Sequence, residues 1–141
     1  MASGTSGAAI IELCGQPKGC PIRFTVADNT AIAKGDLLQI EDIRTASINT
    51  TVGNPFAGIA ATEKEANDGQ VTLGVWTKGI FDLHKDPDSV ISIGDFVAMS
   101  GCNLIRTAVE ADFSGGNVVG KALEAAATGS GEVIAVAVGI Y

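Results

Sequence analysis

The sequence predicts an all-β protein: a small compact β-barrel or two-sheet sandwich, built from a duplicated β unit and preceded by an extended N-terminal arm. Three observations lead there. Eighteen glycines and a charged fraction of only 18% break the chain into short apolar runs separated by tight turns. Where the runs are long enough to show a period, apolar and polar residues alternate, as on a half-buried strand. The order of runs and turns then occurs twice.

Residues 1–20 read as the arm. The first nine are small and polar, without period. Ile10, Ile11 and Leu13 then form an apolar patch, and Pro17 and Pro21 bracket a turn. The patch with Pro17 is the candidate docking segment. An extended stretch of this length spans roughly 65 Å, enough to reach a neighbouring subunit. Residues 21–141 form one β domain. Residues 21–27 (PIRFTVA) alternate, with Ile22, Phe24 and Val26 on one face and Arg23 and Thr25 on the other. Gly35-Asp36 turns the chain into a strand over 37–40. Residues 42–52 are Thr-rich and read as one or two edge strands.

The stretch 54–83 is the most apolar and glycine-marked. It holds a strand over 56–61, a helical turn over 62–67 (Thr62 and Glu65 have capping-box spacing), and a strand over 70–77, with a short continuation over 80–83. The only tryptophan, Trp76, is read as a packing anchor. Residues 84–89, with the single histidine His84, read as a solvated loop. Strands follow at 96–99, 103–108, 118–124 and 132–138, with a loop over 109–117 and alanines at 125–127 that favour helix locally.

The repeat covers about 32–80 and 91–140. KGDLLQI at 34–40 answers IGDFVAM at 93–99, and PFAGIAATEKEA at 55–66 answers NVVGKALEAAAT at 117–128. VTLGVWTKGI answers VIAVAVGIY, and Arg44-Thr45-Ala46 answers Arg106-Thr107-Ala108. Two copies are too few for a solenoid, so a barrel or sandwich follows. Closure also removes the exposed edges of apolar strands.

At 141 residues the chain is long enough to fold without disulfides or metal. Cys14, Cys20 and Cys102 are an odd number, read as reduced thiols, and His84 has no metal-ligand spacing around it. Sixteen acidic against nine basic residues give a net charge of −7. Nucleic acid is not the expected partner, because counterion release needs clustered cations and the three arginines sit singly, far apart in sequence. There is no signal-peptide pattern and no apolar run near the length of a membrane helix.

No catalytic, cofactor or metal constellation emerges, and the chain is not expected to be an enzyme. Gly115 to Lys121 matches a GxxxxGK loop, but Ala122 stands where the magnesium-binding hydroxyl belongs. Asp82, Asp86 and Asp88 lack calcium-loop spacing. One histidine and no GxSxG leave nothing for a nucleophilic triad.

The ordered set IRFTVADNTAIAKGDLL, FAGIAATEKEANDGQVTLGVWTKGIFDL, SIGDFVAMS and VVGKALEAA with GEVIAVAVG resembles the head decoration, or capsid cement, proteins of tailed phages. The resemblance covers about residues 21–139. It implies a homotrimer on the outer surface of an icosahedral head, bound to the major capsid protein and bracing the shell, made in the host cytoplasm and ending in the virion. The alternative is a non-enzymatic β-barrel module that binds a small ligand or peptide.

Overall fold

The computed structural model describes residues 7–13, 21–50, 53–127 and 132–139. The all-β expectation holds, and the duplicated unit is itself a closed five-stranded barrel. The first barrel consists of β2 (Ile22–Thr25), β3 (Leu37–Asp42), β4 (Thr45–Ile48), β5 (Phe56–Ala60) and β6 (Thr72–Trp76), in the order β2-β4-β3-β5-β6. The second consists of β7 (Gly79–Lys85), β8 (Phe96–Gly101), β9 (Leu104–Thr107), β10 (Val118–Ala122) and β11 (Val133–Val138). Its order is β7-β11-β10-β8-β9, and β9 returns to β7. β1 (Ala9–Leu13) adds to the outside of β7.

The two barrels share one pairing scheme. In each, the first strand runs parallel to the third, and every other neighbour is antiparallel. Thr25 faces Thr45 as His84 faces Leu104, and Leu38 faces Ile48 as Val97 faces Thr107. Each of these equivalent positions lies 59 residues further along the chain. The Arg-Thr-Ala match is therefore out of register: β3 and β4 pair Ile40 with Ala46, and β8 and β9 pair Met99 with Ile105. Arg44 corresponds to Asn103, not to Arg106. Both apex residues have positive φ, 44° and 66°.

Glycine is required where strands press together. A Cβ on Gly58 would stand 2.5 Å from the Trp76 carbonyl oxygen, and one on Gly120 would collide with the Ala137 carbonyl. These are equivalent positions, on β5 against β6 and on β10 against β11, so the close approach belongs to the repeated unit.

Alternation decides which core each side chain joins. Leu38 and Val75 point into the first barrel with Ile32 and Leu73. Their neighbours Leu37 and Trp76 point the other way, with Ile59, into a larger cluster shared with Phe81, Leu83 and Met99 of the second barrel. Trp76 is 6% exposed, and its ring centroid lies 5.8 Å from that of Phe81. Polar bonds reinforce this seam. Asn103 Oδ1 accepts from Leu37 N–H at 2.8 Å, its Nδ2 donates to Asp36 Oδ1 at 3.0 Å, and Phe56 N–H donates to Gly116 O at 2.9 Å.

Three local expectations fail. Residues 62–67 form no helical turn, because the Glu65 N–H is taken by Asp68 Oδ2 at 3.0 Å and Lys64 bridges to Ile32. The 109–117 loop contains α1 (Glu110–Gly115), which starts where Val109 N–H donates to Asp112 Oδ2 at 2.7 Å and stops at Gly116 in the left-handed region. His84 is on strand β7, held between Leu104 and Val133. At 125–127, where local propensity favours helix, Ala126 forms an isolated bridge to Ile91.

Candidate interaction surfaces

The N-terminal segment ties the barrels together. Ala8 N–H donates to Gly35 O at 2.6 Å on the first barrel, and β1 then runs antiparallel to β7 on the second, with a bulge between Ile10 and Glu12. Leu13 and Ala8 pack against the shared core, whereas Ile10 and Ile11 stay 40% and 50% exposed. Pro17 lies outside the described residues, as do Cys14 and Cys20. Between this segment and the first barrel is a hollow of about 480 Å³, lined by Ile10, Leu13, Pro21, Lys34, Ala61 and Trp76, among others. The Lys34 ammonium sits 5.7 Å from the Trp76 ring centroid.

The second barrel presents an apolar face where the first is covered. Gly35 is buried beneath Ala8, but its counterpart Gly94 is exposed, and a Cβ there would meet nothing within 4 Å. Beside it Ile93 is 73% exposed and Leu123 44%. Phe113 packs edge-on against Phe96 with centroids 5.2 Å apart, and Val109 at the start of the same helix is exposed. The helix over 110–115 carries Phe113 onto Phe96, a feature the sequence reading of a loop missed.

Three cations, Lys64, Lys85 and Arg106, are engaged within their own barrels. The Lys64 ammonium, buried, donates to the carbonyls of Asp28, Thr30 and Glu65 at 2.9 to 3.0 Å. Lys85 is equally buried and donates to Asp86 O at 2.8 Å and Pro87 O at 3.4 Å. Arg106 grips Asp112 with two bonds of 2.7 and 2.8 Å. That carboxylate also accepts from Asn117 Nδ2 at 2.6 Å and from the Val109 N–H. The Arg106 guanidinium, chiefly, and the Val109 and Asn117 donors together hold Asp112 down to about 2 against its desolvation. Lys121 of the GxxxxGK match projects over Phe96, 5.1 Å from the ring centroid. The chain there runs from helix into strand, the reverse of a phosphate loop.

Arg23 and Arg44 do not sit singly. The parallel pairing of β2 with β4 brings them together, and Arg44 Nη2 donates to Arg23 O at 2.8 Å. Sequence separation hid this, because the two strands are neighbours in the barrel without being consecutive. Among the described residues no group of three or more His, Cys, Asp and Glu could hold a metal ion, and no helix is long and apolar enough to cross a membrane.

No curated protein matches the chain. A family model described as phage cement protein matches residues 16–139, which takes in both barrels from end to end. The chain belongs to the phage cement protein family.

Proposed function

We propose that this protein is a non-catalytic cement that binds the outer surface of an icosahedral head as a homotrimer and stabilises the shell through contacts with the major capsid protein. The family match is the observation that carries this reading, since a cement protein acts in the capsid. The mode of binding is supported by where apolar side chains are left in water. Among the exposed apolar residues of the described chain, two sets serve this reading: Ile10 and Ile11 on β1, and Ile93, Leu123 and Phe113 on the second barrel. Grouped exposed apolar residues mark contact sites in soluble proteins. We assign β1 and the segment around Pro17 to the capsid, and the second-barrel face to the neighbouring copy in the trimer. The protein is made in the host cytoplasm and acts in the virion.

Purified protein added to expanded shells that lack it tests the reading. Co-sedimentation with the shells, together with a trimer mass by light scattering, is the expected result. A monomer that stays in the supernatant would overturn it. Ile11→Asp is expected to weaken shell binding at least tenfold while leaving the trimer mass intact.

A further inference from the structure

In a chain of net charge −7, two arginines that line one hollow without an ion pair among the described residues call for an explanation. Arg23 and Arg44 line an open hollow of about 350 Å³ on the first barrel, together with Phe24 and the hydroxyl-bearing Thr25 and Thr72. Among the described residues neither arginine makes an ion pair. The nearest acidic residue in sequence, Asp42, turns its carboxylate to the Ile43 N–H at 2.7 Å instead. Arg44 is not loose: its Nη2 is fixed on Arg23 O, which orders the group and leaves its remaining N–H donors for a ligand.

The second barrel shows what the same positions do when no ligand is needed. The residue equivalent to Arg23 is Asp82, and the residue equivalent to Arg44 is Asn103, whose side chain is bonded to Asp36 and Leu37 N–H at the seam between barrels. One hairpin apex is thus consumed in joining the barrels. The other faces solvent, keeps a positive φ that disfavours a branched-out side chain such as arginine, and carries a cation beside another cation. Two cations that line one hollow without an ion pair, one of them at positive φ, are not an arrangement that stabilises the fold alone.

We infer that this hollow receives a carboxylate-bearing segment of the partner protein, an Asp or Glu side chain on the capsid surface, gripped by the two guanidinium groups and by the threonine hydroxyls. Guanidinium forks fit carboxylates through paired N–H bonds. Nucleic acid is a poorer fit, because the remaining surface is acidic and two cations do not make a phosphate track. This inference rests on the proposal that the partner is the capsid.

The test is shell binding by the double variant Arg23→Gln/Arg44→Gln against the wild type, across a range of salt concentrations. The expected result is a loss of at least tenfold in affinity at about 0.1 M salt and a flatter salt dependence, with the melting temperature unchanged because both side chains are exposed. A double variant that binds as tightly as the wild type, with the same salt slope, would overturn the inference and leave the capsid reading standing. If the wild type itself fails to bind shells, the capsid reading falls, and a second measurement decides the site. Hexaglutamate peptide is titrated while the arginine Nε–H resonances are followed by NMR, with inorganic phosphate in parallel. Shifts of the Arg23 and Arg44 signals with the peptide, absent in the double variant, support a carboxylate site. No shift with the peptide, or a shift with phosphate alone, would overturn it.

Discussion

The two barrels are the same drawing finished differently. Their strands pair in one order, their Gly-Asp turns are built alike, and each has a glycine where a Cβ would collide with the facing strand. In the first, Asp36 Oδ2 accepts from Ala33 N–H at 2.9 Å; in the second, Asp95 Oδ2 accepts from Ser92 N–H at 2.9 Å. Positions that set backbone path have stayed equivalent, while positions that face outward have diverged. Trp76 corresponds to Ala137, Gly35 is buried under the N-terminal segment where Gly94 is bare, and Arg44 stands where Asn103 bolts the barrels together. Backbone geometry tolerates few residue types, whereas an outward position can change partner without disturbing the ladder.

The buried lysines make the point sharply. Each stops a carbonyl in the loop after the first strand of its barrel, and Asp28 and Pro87 are equivalent residues. Yet Lys64 reaches that carbonyl from the far side of the barrel, where the second copy has Ala126, and Lys85 reaches it from the first strand itself, where the first copy has Val26. The carbonyl at this loop position accepts an ammonium in both copies. The residue that supplies it differs.

The comparison can be broken at the seam, in the second barrel alone, or at the uncovered turn. The largest effect is expected at Trp76. Trp76→Ala should cost about 3–5 kcal/mol in urea unfolding, because the ring fills the core between the barrels. A loss under about 1 kcal/mol would mean that the barrels do not depend on that packing.

Next comes Asp112, a feature of the second barrel only, since Arg106 has Ser47 as its equivalent. Asp112→Asn should cost about 2 kcal/mol, the scale of hydrogen bonds to a charged group. Its carboxyl is held at about 2 in the fold against a reference of 3.8. The contribution is therefore complete above pH 3.8 and is lost as the pH falls towards about 2. Unfolding free energies measured over that window should fall for the wild type and run flatter for Asp112→Asn. Parallel curves would contradict the assignment.

The smallest effect separates the two Gly-Asp turns. Gly35→Ala and Gly94→Ala both place alanine at positive φ, 93° and 87°, at a cost of about 1 kcal/mol each. Only Gly35→Ala also drives a methyl to 2.5 Å from Ala8 O. It should therefore be the more damaging of the pair by calorimetry, and the reverse order would deny that residues 7–8 cover the first barrel.

Much of this was legible in the chain. The Gly35-Asp36 and Gly94-Asp95 turns and the Gly58 and Gly120 strands stand out because backbone constraints select few residues. The first strand of each unit was harder. Ile22-Arg23-Phe24-Thr25 and Phe81-Asp82-Leu83-His84 alternate in step, but the second run is continuous with β6 through Thr77-Lys78, so 54–83 read as one stretch although its strands belong to different barrels. The Arg-Thr-Ala identity misled because three like residues outweighed register by eye. What the chain could not show is convergence. Lys64 sits in a polar run that reads as a helical turn, and only the bridge to Ile32 carries it inside. Arg23 and Arg44 meet only because the barrel closes with β2 beside β4.

The most direct test of the account is a cryo-EM reconstruction of expanded shells decorated with the purified protein. The account predicts added density on the outer surface, in threes where capsid subunits meet, with both barrels resolved and the exposed side of β1 turned to the shell. Shells that gain no outer density, or that carry the protein on the inner surface, would contradict it.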